Sequence, residues 1–231
     1  PKKLDPYQEL NYQCVDDSFD MEVMANHLNI GLLDKNGVER HTRVLNYHLA
    51  RDPEIAFLWT SADNYANLLN PELSISCPFV ITLTLMVEDQ VKSQNEANLK
   101  FLDLEKKSKT SYAKYFPSVE KEVKEWGDIR QRLSSNSSSL VSYFFNVTAY
   151  TEDDPEAALA TEQEILNSFR KGGFELIAAR YQQMRNFLSI LPFKAGEGIF
   201  KELQAAGVVR RAESFNVANL MPVVADSPLA P

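Results

Sequence analysis

The side chains best suited to chemistry are three histidines, two cysteines and a large number of carboxylates. His27, His41 and His48 do not fit the H-E-x-x-H spacing with which one helix presents two zinc ligands. Cys14 and Cys77 lie too far apart in the sequence to supply the paired thiolates of a zinc finger. His41 and His48 converge only if the segment that carries them bends. The sequence therefore predicts no metal-binding residue.

Motifs for nucleophilic or nucleotide chemistry are missing from the sequence as well. Neither the G-x-S-x-G elbow of serine hydrolases nor the G-x-x-x-x-G-K-[ST] phosphate loop occurs. Gly196-Glu197-Gly198 comes nearest in composition, but no Lys-Ser/Thr pair follows to contact phosphate and magnesium. The carboxylate of Glu197 would also repel a phosphate. We therefore predict no catalytic residue and no cofactor-binding residue in this chain.

The acidic residues leave one catalytic hypothesis open. Asp16-Asp17 and Asp153-Asp154 are adjacent pairs, yet abundance without a defined spacing does not make an active site. Asp153-Asp154 precedes a proline and an acidic residue, which is typical of the beginning of a helix. The alternative reading of the chain is a self-contained cytosolic enzyme with an unrecognised carboxylate site.

Composition limits the partners that the chain can have. The formal net charge of −8 argues against a nucleic-acid surface, which needs a concentrated excess of Lys and Arg. Lys106-Lys107-Ser108-Lys109 is the densest basic run, and we interpret it as a solvated helix face. Arg210 and Arg211 point to opposite faces if they lie on a strand. We expect no direct nucleic-acid contact, although a nucleic-acid adaptor remains a third hypothesis.

Two features indicate a cytoplasmic compartment. The two distant cysteines form no disulfide framework, which fits a reducing environment. The apolar run from Phe79 to Val87 is far shorter than the roughly 20 residues of a membrane-spanning helix, and the N-terminal residues do not resemble a signal peptide. Any membrane attachment is expected to be peripheral or through a partner.

The N-terminal half carries signals for strands and short helices. Ile30–Leu33, a turn around Asn36-Gly37 and a second arm from Val38 to His48 predict a β-hairpin. Proline and acidic residues predict two short helices, at 54–59 and 62–69. The β-branched, apolar run 78–87 predicts a strand in the centre of a sheet.

The middle of the chain predicts a helical hairpin. Residues 88–116 contain no Gly or Pro, which favours one long helix with Leu99, Phe101 and Leu102 facing a core. Its polar centre, 105–111, either projects into solvent or packs on another subunit. A second helix is predicted after Pro117, because apolar residues recur there with helical spacing.

The C-terminal half alternates strands and helices. Strands are predicted at 140–151 and 174–179, with a helix between the capping acids and Gly172-Gly173. A further helix is predicted to present Tyr181, Met184, Leu188 and Leu191 as its apolar stripe. The order of elements predicts an α+β fold with a mixed, largely antiparallel sheet, helices packed on one face and a long helical hairpin.

The last 45 or so residues carry a family resemblance. The segments FLSILPF (187–193), AGEGIFKEL (195–203) and RAESFNVANLMPVVADSPLAP (211–231) resemble the N-terminal region of the TraC-type transfer ATPases. These are conjugative type IV secretion ATPases of the F-plasmid branch, related to the large ATPase of the VirB family. The hairpin and the RVLNYHLARDPE stretch upstream are compatible with the same family.

The resemblance implies a non-catalytic domain that docks and assembles. Polar residues without a sustained period predict an extended or poorly ordered lead-in at 1–28. The resemblance implies an α+β docking domain at 29–218 and a linker at 219–231 toward a P-loop ATPase domain outside this chain, where ATP and magnesium are expected to bind. The implied partners are inner-membrane components of the secretion system and further copies within a hexamer. The implied location is the cytoplasmic side of the bacterial inner membrane. No partner-binding residue carries over from the family.

Overall fold

The computed structural model describes residues 19–33, 37–51, 74–191 and 193–220. The two short helices predicted at 54–69, the turn residues 34–36, the predicted lead-in as far as residue 18 and the tail 221–231 lie outside these ranges. The strands are β1 (Phe19–Val23), β2 (Leu28–Leu33), β3 (Glu39–Arg51), β4 (Phe79–Val87), β5 (Leu140–Glu152), β6 (Glu175–Ala178) and β7 (Arg210–Glu213). The helices are α1 (Gln90–Ser108), α2 (Tyr112–Tyr115), α3 (Ser118–Ser134), α4 (Pro155–Lys171), α5 (Gln183–Ser189), α6 (Phe200–Ala205) and α7 (Ser214–Ala218), with a π-helical turn at Ala195–Ile199.

The strands form one sheet in the order β1-β2-β3-β5-β4, with β6 paired to β3 and β7 paired to β5. The predicted hairpin is confirmed, because β2 pairs antiparallel with β3 and Leu28 lies opposite Val44. β3 pairs antiparallel with both β5 and β6. The predicted α+β class is therefore confirmed. β1 is an addition, since the sequence did not predict a paired strand at Phe19–Val23.

The predicted central position of β4 is wrong. The strand itself forms as predicted, but it ends the strand order, and β3 and β5 occupy the centre. The side chains of Val80 and of 85–87 are exposed. An apolar, β-branched run favours a strand, but it does not determine how many neighbours the strand has or how deeply its side chains are buried.

The burial of β5 on both faces explains its unbroken apolar sequence. Phe144 and Phe145 are consecutive and therefore point to opposite faces. Phe144 packs with Phe200 and Leu203 of α6. Phe145 stacks on Phe174 and meets the ring of Phe169 of α4 edge-on. Helices thus cover both faces of this strand, rather than the single face that the sequence analysis predicted.

The predicted caps of α4 are confirmed. The carboxylate of Asp154 accepts a hydrogen bond from the backbone N–H of Ala157 at 2.8 Å, and Pro155 occupies the first turn. Gly173 adopts a φ of 85° immediately beyond the helix, a conformation that costs a glycine little. The sequence signals at both ends therefore fix the length of this helix.

The chain divides into two compact units, and their boundary falls within β4 and β5. The first unit comprises the described residues of Pro1–Thr84, Phe144–Arg210 and Asn219–Pro231. The second comprises Leu85–Tyr143 and Arg211–Ala218. The predicted bounds of the docking domain and linker remain predictions.

The second unit contains the predicted helical hairpin of α1 and α3. Its core consists of Ala97, Leu133 and Leu140, with Trp126 and Ile129 against it. The predicted single helix over 88–116 is interrupted after Ser108 and resumes as the four-residue α2. Phe101 faces α3 as predicted, because its ring centroid lies 4.2 Å from the guanidinium carbon of Arg130. The ring packs so closely on Gly127 that a Cβ added there would lie 3.3 Å from it.

The predicted inward orientation of Leu99 and Leu102 is wrong. These side chains are 69% and 46% exposed, whereas Ser93, Ala97 and Leu104 are buried. Small residues at the contact let α1 and α3 approach closely, so the buried stripe of α1 is not its most hydrophobic one.

The contribution of the Asp154 cap to the stability of α4 can be tested by substitution. We expect Asp154→Ala to lower the free energy of unfolding by about 1 kcal/mol, because the N–H of Ala157 loses its acceptor. Asp154→Asn keeps a side-chain acceptor and should stay close to the parent chain. Urea unfolding followed by circular dichroism measures both, and equal losses for the two variants would contradict this role of the cap.

Candidate functional site

The histidines and the described cysteine do not converge. His41 and His48 lie seven residues apart on β3 and hence on opposite faces; His41 is exposed and His48 is buried. Across the described ranges, no group of three or more His, Cys, Asp or Glu side chains is placed to hold a metal ion. Cys14 lies outside those ranges. Cys77 is half-buried beside β4.

A cavity of about 800 Å³ lies beside β3, β5 and α4 in the first unit, and His41, Cys77, Tyr150 and Glu152 contribute to its lining. Burial raises the pKa of the Cys77 thiol to about 11, and the nearby Glu164 carboxylate adds to this effect. Burial also raises the pKa of Tyr150. Both groups therefore stay protonated at neutral pH, and neither supplies an activated nucleophile to this cavity.

The acidic pair Asp153-Asp154 has a structural role. Asp153 accepts hydrogen bonds from the guanidinium of Arg43, at 2.6 Å from Nη2, and from the amide of Asn29. The hydrogen bond from Arg43 holds the pKa of Asp153 below its usual range. Asp154 caps α4, as predicted. The pair thus joins β2, β3 and α4. Asp16-Asp17 lies outside the described residues.

A buried polar network is the feature of the first unit that the sequence analysis missed. The predicted apolar stripe of α5 is wrong in part: Met184 packs against the core as predicted, but Tyr181 is exposed, and the buried residues of this helix are Gln183, Asn186 and Ser189. Gln183 and Asn186 face polar residues of the two central strands, all of them buried: Asn46 and His48 of β3 and Asn146 and Thr148 of β5. One sequence signal could have indicated this network. Each of the two apolar strands carries two polar residues two positions apart, which point to the same face, and α5 carries polar residues three positions apart, which share one face of the helix.

The contacts of this network join α5 to both central strands. Gln183 Oε1 accepts hydrogen bonds from the backbone N–H and the side-chain amide of Asn46, both at 3.0 Å. Thr148 Oγ1 donates to Asn46 Oδ1 at 2.7 Å. Asn186 Nδ2 donates to Asn146 Oδ1 at 3.1 Å. Because a buried polar group that loses its partner is costly, the network fixes the position of α5 on the sheet.

His48 closes one end of this network as a neutral side chain. Its Nδ1 lies 3.4 Å from Asn186 Nδ2. Because an amide nitrogen can only donate, Nδ1 has to accept this hydrogen bond and therefore carries no proton. Burial lowers the pKa of His48 to about 4, and the positive charge of Arg210 acts in the same direction. Protonation would place two donors against each other in a buried site.

The second unit contains two ion-pair clusters. Arg132 of α3 donates two hydrogen bonds, at 2.8 and 2.6 Å, to the buried carboxylate of Glu213 on β7. Arg211, also on β7, pairs with Glu88 and with Glu96 of α1. Arg211 thus connects β7 to α1 and to Glu88, which precedes that helix, within this unit. These contacts fix β7 against the base of the helical hairpin.

The end of the hairpin presents side chains that its core does not bury. Tyr112, Tyr115 and Phe116 are exposed, and Lys106 and Lys114 lie exposed near them. We call Tyr112, Tyr115 and Phe116 the aromatic tip. Such rings cost free energy in water, so this is the candidate interaction surface of the second unit.

The network predicts a specific cost for removing Gln183. We expect Gln183→Leu to lower the free energy of unfolding by roughly 2 kcal/mol despite its similar volume, because the N–H and amide of Asn46 lose their acceptor. Arg185→Ala on the same helix removes an exposed pair with Glu202 and should change stability by less than about 0.5 kcal/mol. Chemical denaturation of both variants measures the difference, and a neutral Gln183→Leu would contradict the structural role of the network.

His48 predicts a loss of stability in acid. Its pKa is about 4 in the folded chain and 6.5 in the unfolded chain, so the unfolded state binds the proton more readily. The contribution is complete above pH 6.5 and is lost as the pH falls through about 4, amounting to at most about 3 kcal/mol. We expect His48→Gln to flatten the pH dependence of the denaturation midpoint between these values. An NMR titration of the His48 ring with a midpoint near 6.5 would contradict this explanation.

A family model and a known protein both match this chain. The family model described as TraC protein matches residues 1–195. The chain is 69% identical over 230 residues to Protein TraC of Escherichia coli (strain K12), an alignment that covers 100% of this chain and 26% of that protein. The chain thus spans about a quarter of the length of this relative. By sequence it belongs to the TraC family.

Proposed function

We propose that this chain is a non-catalytic N-terminal domain of a conjugative type IV secretion ATPase, in which it mediates assembly and docking to the inner-membrane secretion channel. Membership of the TraC family supports a role in conjugation. The observation that carries the proposal is the extent of the match, which spans the whole chain but about a quarter of the relative. A domain of this kind would serve pilus biogenesis and DNA transfer through its contacts, while the remainder of the protein bound ATP and magnesium.

The geometry of the described residues supports an interaction role. Groups that could act chemically have structural partners instead, such as Asp153 with Arg43 and Glu213 with Arg132. The alternative of a carboxylate enzyme is therefore not favoured. The aromatic tip, in contrast, is exposed without a role in the core, as expected of a surface that meets a partner.

The proposed partners are inner-membrane proteins of the secretion system and further copies of the protein in a hexamer. The proposed location is the cytoplasmic side of the inner membrane, with peripheral attachment. Within the described residues, no helix combines the length and apolarity that crossing a bilayer demands.

Competition in donor cells tests the proposal. We expect overproduction of residues 1–231 to lower conjugative transfer of a plasmid encoding the intact protein by about ten-fold or more, because the isolated domain occupies docking sites without the motor. Transfer frequency per donor is the measurement. The control is the chain carrying Phe144→Asp and Phe145→Asp, which should not fold, since an unpaired charge would replace each buried ring. Equal transfer with the parent chain and the control would overturn the docking role.

Hydrolysis assays test the non-catalytic part separately. The purified chain should show no ATP hydrolysis above buffer in the presence of magnesium. Hydrolysis that substitutions confined to this chain abolish would contradict the assignment.

A further inference from the structure

The aromatic tip lies at the end of the hairpin, beyond the last buried residues of α1 and α3. Nineteen residues at 1.5 Å each carry the chain about 28 Å from Gln90 to Ser108. The core residues Ala97 and Leu133 lie toward the other end of the hairpin, and Leu104 and Val119 are the last buried apolar side chains on either side of the turn.

The rings of the tip are exposed to different degrees. Tyr112 stacks on Phe116 with centroids 4.5 Å apart, and the two side chains are 42% and 50% exposed. Tyr115, three residues after Tyr112 and therefore on a neighbouring part of the same face, is 79% exposed. Three aromatic side chains within five residues thus form one apolar surface with two phenol groups at its edge. Tyrosine suits the boundary between water and lipid, because its ring is apolar and its hydroxyl is polar.

The charged residues around the tip are basic, with Glu120 and Glu122 following shortly after them. Residues 106–119 contain four lysines and no Asp or Glu, whereas the whole chain carries a formal charge of −8. Lys107 and Lys109 pair with Asp103 and Glu105 one turn earlier, at 2.7 and 2.8 Å. These pairs are exposed and therefore weak, so that the ammonium groups can turn toward another anion.

We propose that the aromatic tip and its lysines bind the surface of an anionic lipid bilayer. The rings would enter the headgroup region, while the long lysine stems let the ammonium groups reach lipid phosphates. Each lysine held near an anionic surface strengthens binding by about five-fold.

A bilayer fits these observations better than an acidic protein does. The rings form one exposed surface between α1 and α3, whereas a peptide is recognised by a groove that covers its anchoring side chains. This inference deepens the proposed function by naming lipid as one contact. Lipid binding is tested in the absence of the secretion channel, so that the lipid-binding proposal and the docking proposal can fail independently.

Sedimentation with vesicles tests the proposal. We expect the purified chain to bind vesicles of phosphatidylcholine mixed with phosphatidylglycerol at least ten-fold more strongly than vesicles of phosphatidylcholine alone, with binding weakened by salt. Replacing Tyr112, Tyr115 and Phe116 by serine should reduce binding by about ten-fold or more, as should Lys106→Gln together with Lys114→Gln. The matched control is Leu99→Ser, which removes an exposed apolar side chain of α1 outside the tip and should leave binding unchanged.

A local probe separates insertion from a loss of folding. Tyr115→Trp preserves an aromatic ring, and its fluorescence should shift to the blue and be quenched by brominated lipids; Leu99→Trp should show neither effect. Binding that is equal for the parent chain and both tip variants would overturn the proposal. So would a tip that mediates self-association in sedimentation velocity while vesicle binding is absent, since the surface would then be an interface between copies of this chain.

Discussion

The burial of β5 on both faces is the constraint from which the first unit follows. A strand that is dry on one face needs one covering layer, but consecutive rings at Phe144 and Phe145 demand a layer on each side. α4 supplies one layer and α6 the other. The same constraint governs polar residues in the strand, because water cannot reach Asn146 or Thr148. Their hydrogen bonds have to be made by other side chains: Asn186 of α5 donates to Asn146, and Asn46 of β3 accepts from Thr148.

The polar network therefore gives positional precision rather than additional driving force. Apolar packing tolerates small displacements of a helix, whereas the paired amides of Gln183 and Asn46 require a particular position of α5 on β3. The neutral state of His48 belongs to the same arrangement, because its Nδ1 accepts from an amide. A domain whose function is to present surfaces benefits from such fixed placement, since docking depends on geometry more than on the total stability of the fold.

Sequence patterns predicted local elements well because short-range chemistry determines them. The β2–β3 hairpin and the capped α4 follow from turn and capping residues a few positions apart. The edge position of β4 and the faces of α5 were not predictable in this way. The sequence of an apolar strand is the same whether the strand lies at the edge or in the centre of a sheet. Polar residues on a short helix are normally predicted to face solvent. Only a match with polar positions on distant strands would have indicated that those of α5 are buried. Among the candidate site residues, only the role of the Asp154 cap followed from the sequence.

The aromatic tip shows the limit of interpreting a basic run by itself. Lys106–Lys109 alone fits a solvated helix face, and its pairs with Asp103 and Glu105 agree with that view. A solvated face, however, does not require three aromatic rings at the adjoining turn, because exposed rings cost free energy and lysine solubilises a helix without them. A binding partner that is both apolar and anionic explains why the rings and the lysines occur together. A bilayer surface has these two properties within the few ångströms that separate Tyr115 from its neighbouring lysine, Lys114.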